Sequence, residues 1–350
     1  MNKQVRIPVA GIAATLLLVG AFAARVAGAA DSKQPTDHSE HQGHAGHQMT
    51  HEQIEILKSK IELYRPYTDE QINAAMSRMY EAQEYVSPPA VRGEIGILGL
   101  GHGYKEVGDK LFKKGYAGVA ETYPTAVGLG MTMMSSTHIQ QAVDELEAAG
   151  AKTIVVLPTE IGDNTSLIRQ WDYAFGRSDT SSYLDVERIR SKARIVVTKT
   201  PTTSPLLTSI LSDYVKQASK DPAKEVVVMI AHGPEDPRDN EKELANLAVH
   251  AAGIRAATAV ADVRFGTLQD DAPPELRKQN VDRLRGWIQA ATDAGQRVIV
   301  VPVLIVGGSG VSGRIQRDLD GLTYANTGKG IAEHPLFDRW IRDTVAAATK

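Results

Sequence analysis

Two histidines, His102 and His232, close two apolar runs that read alike: EIGILGLGHG over residues 94–103 and EVVVMIAHG over residues 225–233. An imidazole with its ordinary pKa of ~6.5 takes a proton or ligates a divalent metal near neutral pH. At the end of a buried strand, where open α/β sheets bind their ligands, it is placed for either task; the plainer alternative is that each ring bonds only to its own loop. Glu160 and Asp163 follow a second apolar run, TIVVLP, and offer carboxylate ligands. The glycine-rich stretch 307–313 carries Gly308 and Ser309, with Arg314 and Arg317 just beyond. It reads either as a tight strand-to-helix loop or as backbone brought close to an anionic ligand, whose carboxylates Arg314 would meet. A separate group, His38, His41, His44, His47 and His51, holds half of the ten histidines in a segment almost without apolar residues. Such a tract is expected to be disordered, and it is suited either to gathering Cu(II), Ni(II), Zn(II) or Co(II) or to serving as a solvated linker. The chain has no cysteine, so any metal must be held by nitrogen and oxygen. Nucleotide motifs fail on single residues. Tyr104 stands where a dinucleotide fingerprint needs its third glycine, Arg314 stands where a nucleophile elbow needs its last, and no P-loop lysine follows the glycines.

These residues must be positioned by an α/β unit that occurs twice. In each copy the His-Gly run precedes an amphipathic helix ending at Ala-Gly, and then a second buried run with a proline near its end: AAGAKTIVVLPT from residue 148 and DAGQRVIVVPVL from residue 293. Ile139, Ala142, Val143 and Leu146 mark the inner face of the first helix, and Val281, Leu284 and Ile288 that of the second. Further strands are expected over 119–129 and 257–265, a helix over 238–252, and a polar insertion over 266–279 in the second copy. Alternating strands and helices imply parallel sheets with right-handed crossovers. The expected fold class is therefore α/β, with two similar lobes over 90–200 and 201–350, each a parallel sheet flanked by helices. Ahead of them, residues 52–89 read as a helical hairpin that either caps the cleft or covers a sheet edge. Its second helix starts at a capping box, Thr68 with Gln71.

The 350 residues suffice for two such lobes, and a net charge of −3 argues against a nucleic-acid partner. Residues 1–29 combine a basic start, an uncharged apolar run and Ala27-Gly28-Ala29, the pattern of an export signal cleaved near Ala29. The alternative is an uncleaved anchor. A periplasmic or secreted location is expected, without membrane attachment beyond that segment, and the oligomeric state is left open.

From about residue 94 to its end the chain resembles the two-lobed class II chelatases, the sirohydrochlorin cobalto- and ferrochelatases of cobalamin and sirohaem synthesis. The resemblance rests on GLGHG and IAHGPEDPRDN, on AAGAKTIVVLPT and AGQRVIVVPVL, and on the closing HPLFDRWI. It implies insertion of Co2+, Fe2+ or Ni2+ into an open tetrapyrrole held between the lobes. His102 and His232 then stand as base and metal ligand, and Arg314 with Gly308 and Ser309 meets the macrocycle. The family's second histidine, in the loop after the later strand, is absent here. Glu160 or Asp163 is the substitute ligand, and the alternative is a binding protein that inserts nothing.

Overall fold

The computed structural model describes residues 48–77, 79–308 and 310–350. The apolar leader, the histidines at 38, 41, 44 and 47, and Ser309 lie outside the described residues. Two helices come first, α1 (His51–Lys60) and α2 (Asp69–Met76). Each is opened by a reciprocal capping box, Thr50 with Gln53 and Thr68 with Gln71. Each box satisfies two amides that a helix start otherwise leaves bare. His51 is thus the first residue of a helix and not part of a structureless tract.

The first repeat runs β1 (Ala82–Tyr85), β2 (Ile95–Gly101), α3 (Lys105–Ala120), β3 (Thr125–Leu129), α4 (Thr137–Ala148), β4 (Thr153–Pro158), α5 (Ser166–Ala174) and β5 (Arg194–Val197). Its sheet has the order β1-β3-β2-β4-β5, parallel except for β1. The second repeat runs α6 (Pro205–Ala218), β6 (Glu225–Ala231), α7 (Pro237–Thr258), β7 (Asp262–Thr267), α8 (Pro274–Asp293), β8 (Arg297–Val303), α9 (Gly310–Asp318), β9 (Ala325–Asn326) and α10 (Pro335–Ala348). Its order, β7-β6-β8-β9, is the same circuit with every pair parallel. The chain is α/β, with two sheets that repeat one topology. The near-continuous Val, Ile and Leu of β2, β4, β6 and β8 follow from burial on both faces.

Four expectations shift. The hairpin is helical only to Met76, and residues 82–85 form β1. That strand pairs antiparallel with β3, whose backbone groups would otherwise form an open sheet edge. The expected strand over 119–129 begins only at Thr125, because Val119 and Ala120 complete the buried face of α3 with Phe112 and Tyr116. The helix expected over 238–252 continues to Thr258, where left-handed Ala259 (φ 56°) closes it, so β7 starts at Asp262. Gly266 and Thr267 belong to that strand and residues 274–279 to α8, so no insertion remains: the loop over 268–273 is no longer than its counterpart over 130–136, and the surplus of the second repeat lies in its longer helices α7 and α8.

The extension packs on the first lobe: Ile54, Leu57, Ile72 and Met76 share a core with Leu98, Leu100, Ile139 and Val143. A second apolar core runs through both repeats, from Phe112 and Tyr116 through Leu207 and Val301 to Phe337. The last helix closes it by returning to the first lobe. Phe337 packs edge-on against Tyr116 at 5.6 Å, and the Arg342 guanidinium donates to the Gly118 carbonyl at 2.8 Å. Among the described residues, no helix is long and apolar enough to cross a membrane.

Candidate functional site

The C-terminal ends of β2, β4, β6 and β8 open on one cavity of about 310 Å3, within the size range of small-molecule sites. His102 enters it from the first repeat and His232 from the second. In both copies the residue after the histidine turns the chain with positive φ, 88° at Gly103 and 75° at Gly233. A side chain at 233 would also collide with Thr267, its Cβ coming within 2.5 Å of the Thr267 Cβ. The His-Gly pair is therefore one device: a strand-end imidazole followed by a turn that only glycine makes without strain.

The two imidazoles differ in surroundings. His102 lies against the Tyr104 ring, with centroids 4.2 Å apart. Burial, with the neighbouring His232 adding to it, pushes its pKa down to about 4. A neutral imidazole at physiological pH has a free lone pair and suits metal ligation better than proton uptake. His232 is held by its own loop and by carboxylates. Its Nδ1 lies 2.9 Å from the Gly233 carbonyl, and its Nε2 lies 3.4 Å from Asp271 and 4.0 Å from Asp270.

Glu160, just beyond β4, also lines the cavity and accepts a hydrogen bond from the His102 amide at 3.2 Å. Burial raises its pKa to about 8, opposed by that hydrogen bond and assisted by the nearby charge of Glu243. Glu243, on α7, is 3% exposed and lines the same cavity, with its Oε1 lacking a hydrogen-bond partner. Burial raises its pKa to about 8 as well. The loop after β4 closes over it at Gly162 (φ 102°), where an added Cβ would stand 2.8 Å from Glu243 Oε2. Two carboxyls that keep their protons near neutrality are stronger bases than exposed ones once ionised.

The other residues singled out from the sequence are placed as follows. Asp163 is not in the cavity lining, and its carboxylate accepts the Thr200 hydroxyl hydrogen. Arg314 lines the cavity, but its guanidinium is ion-paired with Asp270, whose side chain is 2% exposed and is also gripped by Arg277 at 2.8 Å. Gly308 turns with φ 64° on the exposed side of the loop and is absent from the lining. Gly310 already belongs to α9, so the glycine stretch is half loop and half first helical turn. His51 lies on α1, with its Nδ1 2.6 Å from Asp69. Three further histidines stand outside the cavity lining, and of these His334 caps α10. His138 is buried 3.3 Å from Glu81, and His250 is buried with its Nε2 2.6 Å from the Thr202 carbonyl.

Sequence reasoning missed Glu243, Glu235 and Asp271. A signal existed for the first: Glu243 falls on the buried stripe of α7 with Asn240, Leu247 and Ile254, where a glutamate without a partner is out of place. Asp271 lies in the loop between β7 and α8, the counterpart of the loop over 130–136 in the first repeat. Of the two places left open for the N-terminal extension, it takes both: Ile61, Leu63, Tyr64 and Met79 line the cavity, while β1 covers the sheet edge. The lining thus has an apolar wall with four carboxyl groups (Glu160, Glu235, Glu243 and Asp271), two imidazoles and one already paired arginine. That balance favours a cation.

No family model and no curated protein matches the sequence. Among solved structures, SirB from Bacillus subtilis with Fe3+ aligns with a TM-score of 0.52 and 17% identity, covering 73% of this chain and 96% of that one. DR2241 from Deinococcus radiodurans, a multi-domain protein with structural similarity to chelatases, aligns with a TM-score of 0.47 and 17% identity over 73% of this chain and 55% of that one. The chain has the chelatase-like fold.

Proposed function

We propose that this protein is an exported chelatase that inserts a divalent metal, Co2+ or Fe2+, into a sirohydrochlorin-type tetrapyrrole in the cavity between its repeats. The observation that carries the reading is the convergence of His102 and His232, from equivalent strand ends of the two copies, on one cavity with Glu160 and Glu243. Insertion needs a ligand that delivers the ion and bases that take two pyrrole protons. His102, neutral at physiological pH, is the ligand, with His232 beside it. Glu160 and Glu243 receive the protons in their ionised form, the minority species below about pH 8, in which they are stronger bases than solvent carboxylates. Carboxylate and imidazole donors together suit Co2+ and Fe2+. Asp163 contributes only if Thr200 releases it, and Arg314 meets substrate carboxylates only in exchange for Asp270. Export rests on the sequence of residues 1–29, and metal gathering on the histidines at 38–51.

A second reading is favoured by two observations: neither the loop after β4 nor the one after β8 carries a histidine, and the cavity lining is acidic. In it the protein binds metal or tetrapyrrole on a chelatase-like fold without turnover. Visible spectra of dilute protein with excess sirohydrochlorin and Co2+ separate the two. Product beyond one equivalent per chain, formed faster than without protein, is the chelatase result. A shift that stops at one equivalent is the carrier result, and no shift removes this substrate from both readings.

A further inference from the structure

Away from the cavity, His51 and Glu55 stand one helical turn apart on α1, so their side chains share a face. Asp69, the first residue of α2, meets that face: its Oδ2 lies 2.6 Å from His51 Nδ1. One ligand atom from each of the three lies within 4.8 Å of the others. Lys58 already delivers a positive charge to the same carboxylates, its Nζ standing 3.2 Å from Glu55 Oε1 and 3.2 Å from Asp69 Oδ1. The site therefore already gathers a cation between two helices and adds a nitrogen lone pair that an ammonium group cannot use.

We propose that His51, Glu55 and Asp69 form a divalent transition-metal site that clasps α1 to α2 and so braces the cavity roof. One imidazole with two carboxylates is a donor set for Zn2+, Co2+ or Ni2+, with water completing the shell; the imidazole disfavours Mg2+ and Ca2+, and the lack of sulfur disfavours Cu+. On metal binding the Lys58 ammonium withdraws on its flexible stem, because a doubly charged ion accepting lone pairs outcompetes one charge making hydrogen bonds. The connection from α1 to α2 carries Ile61, Leu63 and Tyr64, all in the cavity lining, so an ion joining the two helices holds the span that roofs the site. His51 is also the last histidine of the 38–51 series, which places a built ligand set at the end of that run. The inference stands apart from the chelatase reading, since it needs neither tetrapyrrole nor turnover.

The test uses the full chain carrying alanine at positions 38, 41, 44 and 47, with Zn2+ titrated against a chromophoric chelator. His51→Ala is expected to lose one equivalent of bound Zn2+ relative to this parent, and Asp69→Asn to bind that equivalent about tenfold or more weakly. Lys58→Ala is expected to bind it more tightly. The His51 side chain is 77% exposed, so its loss leaves the core intact, which circular dichroism verifies. Zn2+ is also expected to raise the melting temperature of the parent more than that of the His51→Ala chain. Equal stoichiometry and affinity in parent and His51→Ala would reduce the cluster to an ion-pair group and overturn the proposal, as would weaker binding in Lys58→Ala.

Discussion

Replacing Glu243 with glutamine keeps the shape of a side chain that is 3% exposed and removes its charge. In the folded protein burial carries this carboxyl from 4.5 to about 8, and one of its oxygens has no hydrogen-bond partner. At roughly 1.4 kcal/mol per pKa unit, ionising it in place costs up to about 5 kcal/mol, an upper bound because the cavity admits water. The sign follows from proton counting. Between about pH 4.5 and 8 the folded chain keeps a proton that the unfolded chain has lost, so the Glu243 contribution to stability falls as pH rises through that window. His102 has the opposite sign. Its folded pKa of about 4 lies below the ordinary 6.5, so its contribution to stability rises between those values, equally in both proteins. The Glu243→Gln chain should therefore match wild type near pH 5 and exceed its unfolding free energy by a few kcal/mol near pH 9. Urea unfolding followed by tryptophan fluorescence reads the difference directly, since Trp171 and Trp340 are buried. Parallel stability–pH curves for the two proteins would refute the argument, showing that the carboxyl is solvated or paired in the folded chain.

In the sirohydrochlorin and Co2+ assay, His102→Ala and His232→Ala should each reduce insertion while circular dichroism stays native; an unchanged rate in the double variant would remove both from the site. Phe337→Ala takes a fully buried ring from between α10 and α3 and should cost about 3–5 kcal/mol of unfolding free energy by urea titration, with loss under 1 kcal/mol showing that the last helix does not brace the first lobe. Alanine at 38, 41, 44 and 47 together should lower metal uptake at scarce metal and leave the rate at saturating metal unchanged; an unaltered metal isotherm would make the tract a linker. The substitutions stop at residue 47 because Thr50 caps α1.

Much of this architecture is written locally. The capping box at Thr68 and Gln71, the inner stripes of α4 and α8, the positive-φ glycines at 150 and 295 that end those helices, and the two His-Gly turns each depend on residues within a turn or a strand of one another. That is why the repeat, the parallel sheets and the two strand-end histidines were legible from the sequence. Other features depend on residues far apart in the chain. Residues 82–85 become a strand because the edge of β3 stands open to them, and their own pattern is too short to announce it. Asp163 turns to Thr200, Arg314 to Asp270, and Glu243 in the cavity lies against Gly162 in a loop of the other repeat. The sequence by itself determined which elements form and that two copies would present histidines at equivalent strand ends. The tertiary structure alone decided which charged groups those histidines meet, because a buried charge is set by neighbours contributed from both repeats, and no local periodicity encodes them.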